Sequence, residues 1–121
     1  MLYSPDTNSR VKYLSPQRKK VFEAYRKRLS DADYEAICDT LIQRFHEKDI
    51  DTSSWIPGND WSGTVYEPIH HACGGNIGES GKFFGILLFK LLMEYEGAAW
   101  SFGRYAAKGM TYFRIDDPFD R

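Results

Sequence analysis

The densest run of reactive side chains is Glu67-Pro68-Ile69-His70-His71-Ala72-Cys73. If this stretch is helical, Glu67 lies three and four residues before His70 and His71, and His70 lies three before Cys73, so these groups share a face. A carboxylate beside imidazoles suits proton transfer or ligand binding, and His with Cys suits zinc. A metal would need further carboxylates, such as Glu79, Glu94 or Glu96, to converge from elsewhere, because the only other histidine is His46. No metal site, cofactor or catalytic residue is therefore assigned, and the two histidines read best as binding or core groups. Cys73 falls on the apolar side of the same short helix with Val65 and Ile69, where a thiol is structural rather than nucleophilic.

Two further patterns are incomplete. A single Glu-x-x-His resembles half of the di-metal carboxylate motif of helical bundles, but no second copy exists. Gly78-Glu79-Ser80-Gly81-Lys82 resembles the end of a phosphate-binding P-loop, yet Asn76 stands where that motif has glycine and Phe83 where it has the hydroxyl that holds magnesium. What survives is a weaker expectation, that free N–H groups at the start of the following helix, beside Lys82, hold a phosphate or carboxylate.

Aromatic residues make up 16% of the 121-residue chain, with eight Phe, eight Tyr and three Trp, more than a small core readily hides. From Asp49 to Gly63 the hydrophobic periodicity stops, and DIDTSSWIPGNDWSG reads as a loop in which Pro57-Gly58 folds Trp55 and Trp61 back over one surface. With the Glu67–Cys73 helix, this loop gives a candidate ligand- or partner-binding set of Trp55, Trp61, Tyr66, Glu67, His70, His71 and Lys82.

The element that must position these groups is Lys82 to Glu96, in which ten of fifteen residues are large and apolar or aromatic. Lys82, Lys90 and Glu94 leave only a narrow wet stripe, so a helix here has to be covered on nearly all sides. It is too short and too charged to span a bilayer, which takes about 20 apolar residues. Upstream, Ser15-Pro16 predicts an N-cap and first helical residue for a helix reaching about Leu29. A second helix follows from Ser30–Asp33 to His46–Lys48, with Tyr34, Ile37, Cys38, Leu41, Ile42 and Phe45 at helical spacing. The basic Arg26-Lys27-Arg28 and the acidic Asp31, Asp33 and Glu35 complement the dipoles of these two helices. A short helix starting at Thr64 or Glu67 ends at Gly74-Gly75, a glycine-containing connection leads to the apolar helix, and AAWSFGRY and MTYFRI read as a hairpin around Ala106 to Gly109. Residues 1 to 14 read as a lead-in arm or a short strand, and DDPFDR as a loose tail.

The expected architecture is thus a single α+β domain over 1–121, about four helices around a central apolar helix at approximately 80–96, with a C-terminal β-hairpin and a flexible arm and tail. Apolar residues at 42% and charged residues at 27% disfavour disorder and membrane residence. Ten Lys/Arg against seven Asp/Glu in residues 1–48, and six against ten in 49–121, give a mild asymmetry within a net charge of −1, poor support for a polyanion partner. Without a secretory signal at Met1–Asp6, Cys38 and Cys73 are expected as free thiols in a cytoplasmic protein. The order of helices, turn, longer helix and hairpin is also similar to that of winged-helix proteins, which would put Arg104, Lys108 and Arg114 on or beside a wing. Against that similarity, a base-reading helix needs an exposed polar face, and 82–96 has almost none. The expectation is a small non-enzymatic binding or regulatory protein, of the kind found among bacterial or mobile-element accessory products, contacting a protein partner or small ligand and open to homodimerisation. A winged-helix-like nucleic-acid binder and a small metal-dependent enzyme are the alternatives.

Overall fold

Leu2 and Tyr3 are almost fully buried, and they form the first strand of a four-stranded mixed sheet. The computed structural model describes residues 1–58, 60–105 and 108–116. Its elements are β1 (Leu2–Tyr3), α1 (Pro16–Arg26), α2 (Asp31–His46), β2 (Ile50–Thr52), a 3-10 turn (Ser53–Trp55), α3 (Glu67–Ala72), α4 (Ile77–Glu94), β3 (Ala99–Gly103) and β4 (Thr111–Ile115). The sheet order is β1-β3-β4-β2, with β1 parallel to β3 and the other neighbours antiparallel. Among the described residues, no helix is long and apolar enough to cross a membrane.

Local chemistry explains the helix starts. Ser15 Oγ accepts from Arg18 N and Ser30 Oγ from Asp33 N, each filling one of the donors a helix leaves open at its first turn. Asn76 does the same for α4, its Oδ1 accepting from Glu79 N at 3.0 Å. That cap corrects the expected connection between α3 and the apolar helix: α4 begins at Ile77, and Gly78 and Gly81 lie within it. Gly74 and Gly75, both at positive φ, supply the turn that ends α3.

Nine of the α4 residues are buried, Phe83, Leu87 and Leu88 completely. Phe83 meets Phe22 and Tyr25 of α1 at ring distances of 5.7 and 5.6 Å, and Phe84 meets Trp61 and Tyr66 at 5.9 and 5.3 Å. Phe89 packs edge-on against Phe102 of β3, while Phe45 of α2 packs edge-on against Trp100 and Tyr112. One face of the sheet is thereby sealed by α2 and α4, and a single cluster of buried residues runs from Leu2 to Tyr112.

The structure alters three expectations. The stretch 49–63 is not wholly a loop, since Ile50–Thr52 forms the edge strand β2 and Ser53–Trp55 a 3-10 turn. β3 and β4 are not an isolated hairpin, because β1 pairs with Trp100 and Ser101 of β3 and β2 pairs with Thr111, Tyr112 and Phe113 of β4. The edges of the sheet are instead strands of two and three residues, short enough to discourage further strand addition. Arg114 does not stand on a wing. Its guanidinium donates to the carbonyls of Phe45 and His46, closing the C-terminus of α2, and lies over the Trp100 ring. The loop centre at Ala106 and Ala107 and the tail from 117 to 121 lie outside the described residues.

Candidate functional site

α3 is only six residues long, but Pro68 in its first turn and the glycine pair behind it fix its ends. Its buried side, Ile69 and Ala72, faces the core, so Glu67, His70 and His71 are turned toward the surface. Trp61 approaches from the preceding loop, held by an Nε1 hydrogen bond to Gly58 O at 3.1 Å, and its ring lies 6.3 Å from that of His70. These groups, with Asp60 and Ile77, line a depression of about 180 Å³.

His70 is the anchored member. Ser80 Oγ donates to the Asn76 carbonyl at 2.8 Å, so it faces His70 Nδ1, 3.0 Å away, as an acceptor. The ring therefore carries its proton on Nδ1 toward Ser80, leaving Nε2 without a partner among the described residues. His71, by contrast, is three-quarters exposed and pairs loosely with Glu67, 3.8 Å away. Asp60 is held below the usual carboxylate range by hydrogen bonds from Ser62. The depression thus presents two carboxylates and an imidazole acceptor around an indole edge, a surface suited to hydrogen-bond donors and cations.

Other expected members stand apart. Trp55 is 67% exposed, whereas Trp61 is 6% exposed and belongs to the core beside Phe84. Tyr66 is equally buried, its ring packed edge-on against Phe84. Lys82 lies in the second turn of α4, where backbone N–H groups are already committed to helical bonds, which removes the expected phosphate cradle of free N–H groups beside it. Burial pushes the Cys73 thiol up, away from the thiolate that a nucleophile needs. Among the described residues, no three His, Cys, Asp or Glu side chains are placed to hold a metal ion.

The sequence reading missed Asp60 and Ser80. Asp60 carried a local signal, an Asx-type turn to Ser62. Ser80 carried none, since its bond to His70 crosses the Gly74-Gly75 turn. No protein-family model, curated protein or solved structure matches the chain.

Proposed function

We propose that this protein is a small, single-domain, non-enzymatic binding or regulatory protein whose contact surface is the depression between the Trp61 loop and α3, with α4 as the central apolar helix on which that surface is mounted. The observation that carries the reading is the convergence of Asp60, Glu67, His70 and His71 around the Trp61 edge, with the His70 ring oriented by a fully buried serine. Orientation by a buried hydroxyl is useful to a recognition group, because it lowers the ordering cost on binding. The exposed pair Glu67 and His71 flanks this fixed ring and supplies polar contacts at the rim. The partner best matched is a protein segment or small ligand that offers hydrogen-bond donors or a positive charge.

The test uses rim residues, because Trp61→Ala should cost about 3–5 kcal/mol by emptying a core position and would confuse loss of contact with loss of fold. His71→Ala and Glu67→Gln should leave the urea midpoint unchanged while removing a partner or ligand recovered with the wild-type protein. Retention of every such contact by both variants would exclude this surface.

A further inference from the structure

On the other side of Trp61 the α4 surface is hollow. Gly81 and Gly85 face outward one turn apart, with open space where their side chains would be. The gap opens into a trough about 280 Å³ in volume, walled by α4, the 3-10 turn and the start of β4. Through shared Ser53, Gly81 and Gly109 it continues into a second hollow of about 360 Å³, whose apolar wall is Trp61 and Phe84. Together the two fall within the roughly 300–1,000 Å³ typical of small-molecule sites.

The charged groups of the trough are all cations. Arg18, Lys82 and Arg104 line it, no carboxylate does, and none of the three is in an ion pair among the described residues. Tyr112 lies at its floor, only 1% exposed, and its hydroxyl has no hydrogen-bond partner among the described residues. Arg18 and Arg104 line the same trough as this tyrosine. Ser53, 5% exposed, accepts from Met110 N at 2.9 Å and keeps its own proton uncommitted among the described residues. One anion in this trough would meet three cationic side chains and two hydroxyls able to donate to it.

We propose that this trough binds the phosphate of a small organic phosphate, whose flat apolar body extends along α4 toward Trp61 and Phe84. Two guanidinium groups, an ammonium and two hydroxyls exceed what the two oxygens of a carboxylate accept, whereas a dianionic phosphate with three terminal oxygens uses them. A nucleic-acid backbone fits less well, because the hydroxyl donors sit at the bottom of a cleft and not along an outer surface. The site is distinct from the α3 depression, and its test does not depend on that reading.

Phenyl phosphate serves as the probe, with benzoate, phenol and a single-stranded oligonucleotide as comparisons, measured by calorimetry on the full chain. Phenyl phosphate should bind and the other three should bind more weakly. Tyr112→Phe, which removes one oxygen, should weaken phenyl phosphate about fivefold, and Arg104→Ala about tenfold. Gly85→Leu separates this role from a structural one: a Cβ there has nothing within 4 Å and leucine favours helix over glycine, so the variant should stay folded with an unfolding temperature no lower than wild type and yet lose phenyl phosphate. No heat with millimolar phenyl phosphate, equal binding of benzoate, tighter binding of the oligonucleotide, or full binding by Gly85→Leu would each overturn the proposal.

Discussion

Asp51 is a carboxylate 3% exposed at the edge of the sheet, and it is held there by its neighbours. Arg44 Nε donates to its Oδ2 at 2.5 Å, its Oδ1 accepts from Thr52 N at 2.9 Å, and Lys48 Nζ stands 4.0 Å away. Removing the guanidinium leaves a buried charge with one backbone donor and a distant, half-exposed ammonium. Arg44→Ala should therefore cost about 3 kcal/mol in urea denaturation. A loss under about 1 kcal/mol would show that Lys48 moves in as a substitute. This pair also explains how so short a strand as β2 is retained, because Asp51 lies opposite Tyr112 and ties the end of α2 to the sheet.

At the scale of elements, the sequence revealed what is encoded locally and concealed what depends on distant pairing. Ser15-Pro16 and Ser30 marked the starts of α1 and α2, since a cap bonds within three residues of itself. Strands β1 and β2 are too short to show alternation, and β1 joins the sheet through Trp100 and Ser101, far along the chain. The first turn of α4 was hidden by its glycines, which disfavour helix by about 1 kcal/mol each relative to alanine. Its start therefore relies on the cap. Asn76→Ala should lower stability by about 1 kcal/mol, with Asn76→Ser recovering most of it. An Asn76→Ala protein as stable as wild type would mean that packing of Phe83 and Phe84 alone fixes that end. The candidate sites divide in the same way. Glu67, His70 and His71 were legible from helical spacing, whereas Ser80 beneath His70 and the trough floor at Tyr112 required tertiary contacts to appear.

Across the whole molecule, burial shifts acidic side chains in one direction. Tyr34, Tyr66, Tyr112, Cys38 and Cys73 are all raised, with desolvation the largest cause in each case. A group whose folded value exceeds its unfolded value holds its proton longer in the native state, so its contribution is complete below the unfolded value and is lost as pH rises above it. The window opens near pH ~8.5 for thiols and ~10 for phenols. Urea midpoints should accordingly fall between neutral pH and pH ~10.5, and phenol absorbance should titrate later in the folded than in the unfolded protein. A flat stability profile over that range would contradict the burial of these five groups. The three indoles offer a different handle on the same molecule. Trp100 is fully enclosed with its Nε1 unbonded among the described residues, Trp61 is enclosed but hydrogen-bonded, and Trp55 stands in water. Intrinsic fluorescence thus carries three separable colours, from a blue core emitter to a quenchable red one, and the protein comes with its own optical gauge of which layer opens first.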